Sequence, residues 1–103
     1  MRYVLRFVQR YAPEQRAAFM DLEAKFAALE KRRTDFARGK RSQPYMGREP
    51  SNTLIWECEF PSLSEAQAAL AKLAGDSEHE ALFRQQAPYM RELYTEINEI
   101  LEM

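Results

Sequence analysis

The sequence predicts an α+β fold in the order β-α-β-β-α-β, with a four-stranded antiparallel sheet and helices on one face of it. The first observation is that residues 2–10 and 53–60 alternate between a mainly apolar face and a face that carries charged side chains, with the period of two that is typical of strands. The second is that residues 13–33 repeat apolar side chains at spacings of three and four, as an amphipathic helix does. A chain of 103 residues fits one core, so we expect residues 1–103 to form a single domain.

The two clear strands each separate their side chains onto two different faces. Residues 2–10 place Tyr3, Leu5, Phe7 and Gln9 on one face and Val4, Arg6, Val8 and Arg10 on the other. Residues 53–60 place Leu54, Trp56, Cys58 and Phe60 on one face and Thr53, Ile55, Glu57 and Glu59 on the other. The first face of each strand requires a cover of helices. The second face carries charge, so we expect a polar cavity or a second sheet against it.

The segment between these strands begins with the helix over residues 13–33. Pro13 suits its first turn. The apolar stripe that we expect to face the core consists of Ala18, Phe19, Leu22, Phe26 and Leu29. Glu23, Lys25, Glu30 and Lys31 lie largely off that stripe.

Residues 34–46 are consistent with two structures. Phe36 could extend the helical stripe, with Gly39 as the C-cap. Alternatively, Thr34 and Asp35 could begin a loop. The run from Gln43 to Gly47 then predicts a short second strand, with Pro44 at a sheet edge or a bulge.

Two capping signatures predict the helices that follow residue 60. Ser62 and Glu65 form a capping box before residues 63–73, and Gly75 closes that helix. Ser77 and Glu80 repeat the signature before a short helix at 77–87. Residues 91–101 fit a helix and a strand equally well. We expect a strand, because three strands alone would leave a central edge unpaired.

The predicted core consists of Leu5, Phe7, Phe19, Leu22, Phe26, Leu54, Trp56, Phe60, Leu70 and Leu73. Net charge near −1 predicts no general attraction to nucleic acid or to membranes. The N-terminus has no apolar signal segment, so we expect a cytoplasmic protein. The single cysteine, Cys58, excludes an internal disulfide and is expected to act as a small buried hydrophobe.

A set of polar and aromatic residues forms the candidate site, although no motif names a reaction. His79 is the only histidine and lies at the start of a helix, either as a surface residue or as the lining of a pocket. Glu57 and Arg6 lie on neighbouring strands, either as an ion pair or as a general base beside an anion clamp. The candidate catalytic residues are His79, Glu57 and Tyr45, and the candidate ligand-binding residues are Arg6, Tyr45, Arg48, Glu57, His79 and Tyr89. One histidine and one cysteine are too few for zinc, so no metal site is expected.

Basic residues are concentrated in the segment 32–48, namely Arg32, Arg33, Arg38, Lys40, Arg41 and Arg48. They are consistent with a solvated loop, and also with a rim that binds anions or a partner protein.

The chain resembles the NIPSNAP-like group of the dimeric α+β barrel superfamily. The resemblance rests on four segments, namely Gly47–Thr53 leading into the Trp56 strand, the helix entry Phe60–Ala66, the run Asp76–Phe83 and the ending Thr95–Leu101. This resemblance implies a ferredoxin-like protomer whose sheet packs face to face with a second copy. The asparagine-histidine-tryptophan set of haem-degrading relatives cannot be placed on this chain, and no cofactor is expected. The resemblance does not imply an activity, and our first hypothesis is a homodimer that binds a small organic ligand in a polar cavity beside the sheet. The alternative is a cofactor-independent monooxygenase or isomerase that acts on an aromatic or polyketide-like substrate.

Overall fold

A computed structural model describes residues 1–103 and contains the predicted four-stranded antiparallel sheet. The strands are β1 (Arg2–Tyr11), β2 (Lys40–Ser42), β3 (Thr53–Phe60) and β4 (Met90–Ile100). The helices are α1 (Arg16–Arg32), α2 (Leu63–Gly75) and α3 (Ser77–Gln86), with short 3-10 turns at Pro13–Gln15 and Ala87–Tyr89. The spatial strand order is β2-β3-β1-β4, which is the α+β, ferredoxin-like arrangement.

The register of the sheet fixes which side chains share a face. Phe7 on the central strand β1 lies opposite Trp56 on β3 and Thr95 on β4, and these residues face the helices. Arg6, one position earlier, lies opposite Glu57 and Glu96 on the face that no helix covers, which is called the open face below. A shift of one residue in this register would exchange the two faces.

The core lies between the helix-facing side of the sheet and the helices. Six of the predicted core residues are buried, namely Leu5, Phe19, Leu22, Phe26, Leu54 and Trp56. The other four, Phe7, Phe60, Leu70 and Leu73, are only partly buried. Phe7 and Leu73 remain partly accessible because they line a cavity that is partly open to solvent. Tyr11 adds to the core by stacking on Phe19 with a centroid separation of 4.8 Å.

The prediction of a strand at 91–101 is confirmed, because β4 pairs with β1 along almost its whole length. The predicted strand at Gln43–Gly47 is wrong, since β2 lies a few residues earlier at Lys40–Ser42. Contacts of Arg41 with buried carboxylates fix that earlier position.

The end of α1 and the start of α3 differ from boundaries that the sequence suggested. Helix α1 ends at Arg32, so the residues after it form a loop and Gly39 is not a helix cap. Asp76, rather than Ser77, is the N-cap of α3, and its carboxylate accepts a hydrogen bond from the main-chain N–H of His79. The aspartate is preferred because the same carboxylate also accepts a hydrogen bond from Arg33 of the α1 end.

Candidate functional site

A cavity of about 110 Å³ lies between the helix-facing side of the sheet and the helices α1 and α3. Phe7 and Trp56 form part of the sheet wall, with stacked rings whose centroids are 5.0 Å apart. Phe26, Phe36 and Phe83 line the opposite side. The sequence placed a polar cavity beside the open face. The cavity that this structure contains lies instead on the helix-facing side, between apolar residues of the sheet and of the helices.

A buried ion-pair network borders the cavity and crosses from α1 to β2. Glu23 and Glu30 of α1 are only 6% and 9% exposed. Arg41 of β2 donates from Nε to Glu23 Oε2 at 2.6 Å and from Nη2 to Glu30 Oε2 at 2.5 Å. Burial opposes the positive charge of Arg41, but its hydrogen bonds and the negative charges of both carboxylates raise its pKa above the ordinary value.

Neutral donors complete the hydrogen bonding of the two carboxylates. Glu30 Oε1 accepts hydrogen bonds from Trp56 Nε1 and from the main-chain N–H of Gly39, each at 3.2 Å. Gln86 Nε2 donates to Glu23 Oε1 at 2.9 Å and to the carbonyl oxygen of Phe19 at 3.3 Å. Hydrogen bonds of this kind stabilise ionised carboxylates inside a protein.

The expectation that Glu23 and Glu30 lie largely off the apolar stripe of α1 is wrong, although the sequence contains the signal for their burial. Phe19, Glu23, Phe26 and Glu30 follow one another at spacings of four, three and four residues. That spacing defines one helical stripe. Charged side chains were assigned to solvent because they are rarely buried. The sequence did not show that Arg41 could reach them.

His79 lies in the first turn of α3 and lines the cavity. Its ring centroid is 4.9 Å from that of Phe26, and it meets Phe36 edge-on at 6.4 Å. Burial lowers the pKa of His79 below its ordinary value, although the charges of Asp76 and Glu30 act in the opposite direction. The imidazole is therefore neutral at pH 7, and one of its nitrogens can accept a hydrogen bond. No protein group is hydrogen-bonded to the ring.

Gln9 is a second polar group of the cavity and was not among the predicted site residues. It is 7% exposed and lies on the helix-facing side of β1. Its amide lines the cavity, has no hydrogen-bond partner in the protein and still has accessible surface. The sequence alternation placed Gln9 on the apolar face, and a lone amide in such a stripe is a detectable signal.

The structure places the other predicted site residues outside the cavity. Arg6 and Glu57 lie on the open face, where Arg6 contacts Glu57 at 3.1 Å and Glu96 at 2.9 Å. Tyr45 and Arg48 are exposed in the loop between β2 and β3. Tyr89 packs against the cluster of Tyr11, Phe19 and Leu54 and borders a separate polar groove. Of the six predicted ligand-binding residues, only His79 lines the cavity between sheet and helices.

The basic segment 32–48 is partly neutralised within the chain. Arg33 contacts Asp76 at 2.7 Å and Asp35 at 2.9 Å, and Arg32 pairs with Glu78. Arg41 is held in the cavity network. These contacts tie the end of α1 to the start of α3, and they leave a smaller positive surface than the sequence suggested.

The structure also bears on Cys58, on metal binding and on membrane crossing. Cys58 is partly buried on the helix-facing side, where burial raises the pKa of its thiol. No cluster of three or more His, Cys, Asp or Glu side chains is arranged to hold a metal ion. None of the helices combines the length and the apolar content that crossing a bilayer requires.

Solved structures share this arrangement at low sequence identity. A NIPSNAP family protein from Agrobacterium tumefaciens has a TM-score of 0.76 at 16% identity, over 99% of this chain and 86% of its own. An uncharacterised NIPSNAP-like domain protein from Burkholderia xenovorans has a TM-score of 0.77 at 16% identity, over 97% and 85%. A protein from Caulobacter crescentus, provisionally described as an antibiotic biosynthesis monooxygenase, has a TM-score of 0.76 at 14% identity, over 98% and 91%.

No family model matches the sequence, and no curated protein matches it either. The structural likeness nevertheless extends over nearly the whole chain and over most of each neighbour. At these identities it establishes the fold and not the activity. The resemblance predicted from the sequence is therefore confirmed at the level of the fold, and this chain has the α+β barrel fold of the NIPSNAP proteins and of the related monooxygenase-like proteins.

Proposed function

We propose that this protein is a homodimer that binds a small organic ligand in the cavity between the sheet and the helices. The observation that supports a ligand is the pair of polar groups without a protein hydrogen-bond partner, His79 and Gln9, in a cavity whose walls are largely apolar and aromatic. Both groups are therefore free to hydrogen-bond to a ligand. A ligand that hydrogen-bonds to them would be oriented in the cavity, and the aromatic walls would bury its apolar part.

Trp56 gives a direct readout of ligand binding, because it is the only tryptophan and its ring lines the cavity. We would titrate the protein with a library of single-ring compounds and follow tryptophan fluorescence and the unfolding midpoint. We expect some compounds to change both signals saturably.

Two variants in which an alanine is replaced by leucine distinguish binding in the cavity from binding at the surface. Ala37→Leu should fill part of the cavity, because Ala37 lines it, and should weaken binding. Ala68→Leu lies on the exposed side of α2 and should leave binding unchanged. If no compound changed the Trp56 signal, or if both variants bound equally well, the ligand proposal would be wrong.

The open face supports the homodimer part of the proposal. It combines the apolar side chains Val4 and Ile55 with the ion pairs that Arg6 forms with Glu57 and Glu96. A second identical sheet related by a twofold axis would bury the apolar area. We expect an interface of roughly 2,000 Å² or more, as in obligate dimers.

Sedimentation at micromolar concentration tests this assembly. We expect one species near twice the chain mass of 12.1 kDa. Ile55→Lys on the open face should produce monomers, whereas Leu63→Lys on exposed α2 should leave the dimer intact. A wild-type monomer at that concentration would refute the dimer and would leave the cavity proposal standing.

A cofactor-independent monooxygenase or isomerase is the alternative activity. It is favoured by the neutral imidazole of His79 at the cavity, which could accept a proton from a bound substrate. The structural neighbour described as a monooxygenase adds a reason to test it. Glu57 and Tyr45 lie outside the cavity, so His79 is the remaining candidate base there. Oxygen consumption with ligands found in the titration tests this alternative, and His79→Phe should abolish any activity.

A further inference from the structure

The charged groups that line the cavity do not balance. Glu23 and Glu30 contribute two carboxylates, whereas Arg41 contributes the only guanidinium. The remaining donors to these carboxylates, Gln86, Trp56 and the main-chain N–H of Gly39, are neutral. One negative charge is therefore unmatched among the residues that line the cavity. An unmatched buried charge is unfavourable, and a ligand of opposite charge would compensate it.

The unpartnered groups can accept hydrogen bonds. The neutral imidazole of His79 has one nitrogen lone pair, and the amide oxygen of Gln9 has two. Gln9 is more than nine-tenths buried and lines the same space as His79. Both acceptors are thus available to a ligand that carries N–H donors. Because each group can also donate, the preference for a cation comes from the charge balance and not from these two groups alone.

The aromatic walls also favour a positive ligand. The faces of Trp56, Phe7 and the phenylalanines on the helix side carry partial negative charge, which attracts cations most strongly where water is excluded. The cavity of about 110 Å³ restricts ligand size. An engineered apolar cavity of about 150 Å³ accommodates benzene, so this smaller cavity limits a ligand to at most about one ring.

We propose that the cavity binds a small organic monocation, namely a primary ammonium that carries a single apolar or aromatic group. The ammonium N–H groups donate to His79 and Gln9, and its charge balances the excess of Glu23 and Glu30 over Arg41. The apolar group packs against Phe7 and Trp56. This inference rests on the proposed ligand-binding function and specifies the chemical class of the ligand.

Three probes of nearly equal size and different charge test the inference at pH 7. Benzylamine is protonated at this pH, benzyl alcohol is neutral and benzoate is negative. Each is titrated into the full-length protein, with Trp56 fluorescence and the side-chain amide resonance of Gln9 as readouts. We expect benzylamine to bind at least about tenfold more tightly than benzyl alcohol, and we expect benzoate to show no saturable change.

A charge variant and a matched control separate the cavity charge from the net charge of the protein. Glu23→Gln keeps the shape of the side chain and removes the unmatched charge, so the preference for benzylamine should fall to about that for benzyl alcohol. Asp21→Asn changes the net charge equally on the exposed side of α1 and should keep the preference. If Glu23→Gln does not fold, the comparison of the three probes on the wild-type protein still decides the question.

Each result has a defined meaning. Tightest binding of benzylamine together with its loss in Glu23→Gln supports the inference. Equal or tighter binding of benzyl alcohol or benzoate refutes the cation preference but leaves the ligand-binding proposal intact. If no probe changes the Trp56 signal, and the wider single-ring library gives no response either, the ligand-binding proposal and the inference both fail.

Discussion

Replacing Arg41 by Met tests the buried network most directly. Methionine replaces the aliphatic stem of Arg41 by another unbranched side chain. It removes the guanidinium that contacts Glu23 at 2.6 Å and Glu30 at 2.5 Å. Their side chains are only 7% and 12% exposed, so water can replace the guanidinium only in part. Removing one partner of a buried ion pair typically costs about 3–5 kcal/mol. We expect a loss in that range for Arg41→Met.

The assay is urea denaturation at pH 7 and at a fixed protomer concentration, since dimerisation would make stability depend on concentration. Arg38→Met is the matched control. Arg38 is exposed and donates only to the carbonyl oxygen of Lys31, so its replacement should change the free energy of unfolding by less than about 0.5 kcal/mol. A loss below about 1 kcal/mol for Arg41→Met would show that the carboxylates are not held as described.

A triple variant that combines Glu23→Leu, Glu30→Leu and Arg41→Met tests whether unpaired carboxylates cause the loss of stability. Replacing a complete buried ion network by apolar residues is often neutral or stabilising. Here the recovery should be partial, because Trp56 and Gln86 would lose their acceptors. We therefore expect the triple variant to be more stable than Arg41→Met alone. A less stable triple variant would contradict the view that the unpaired charge is the main cost.

Three further perturbations follow from the packing around the cavity. Phe26→Ala should cost about 3–5 kcal/mol in urea denaturation, because the ring is buried beside His79, and a loss below about 1 kcal/mol would show that it is not packed as described. Gly39→Ala should destabilise the protein and alter Trp56 fluorescence, since an added Cβ would lie 1.9 Å from the indole ring. Burial lowers the pKa of His79 in the folded state, so the unfolded state binds a proton first as pH falls. The contribution of His79 to stability is therefore complete above pH about 6.5, the ordinary pKa of histidine, and it declines as pH falls toward the lower pKa of the folded state.

Matched variants control each of these measurements. Leu63→Ala removes an apolar side chain that is partly exposed on α2, so it should cost much less than Phe26→Ala. Gly75→Ala adds a methyl group in open space and should be tolerated far better than Gly39→Ala. His79→Phe should remove the decline in stability below pH 6.5 that is attributed to the imidazole. An unchanged pH profile in that variant would assign the decline to other groups.

The sequence predicted the fold more reliably than the site, for a physical reason. The alternation in β1 and β3 fixes two faces at once, and the need to pair the edge of β1 then makes residues 90–100 a strand. Strand β2 was misplaced because three residues are too few to show a period. The N-cap of α3 was misplaced by one residue, because Asp76 and Ser77 are both good caps and only the contact with Arg33 distinguishes them.

Site prediction was incomplete where contacts across the fold decide the role of a residue. Arg6 and Glu57 are opposite charges on adjacent strands, and the structure pairs them on the open face. The burial of Glu23 and Glu30 does not follow from the sequence, because their partner, Arg41, lies in a segment without recognisable secondary structure. The alternation assigns Gln9 to one face of β1 but does not show that its amide lacks a hydrogen-bond partner. Whether a polar side chain is satisfied or available for a ligand depends on contacts across the fold, and those contacts have no period in the sequence.

The same network that stabilises the fold also shapes the cavity. Phe36 and Ala37 line it from the loop after α1, which lacks the hydrogen bonds of a helix or a sheet over most of its length. That loop is anchored at its far end by Gly39 and Arg41, which bind Glu30, and at its near end by Arg33, which binds Asp76. Weakening these anchors should therefore open the cavity as well as destabilise the protein. Conversely, a ligand that binds only the folded form raises stability in proportion to the logarithm of its concentration above its Kd. The unfolding midpoint and the Trp56 signal should consequently report the same binding constant, and a disagreement between them would place the ligand outside this cavity.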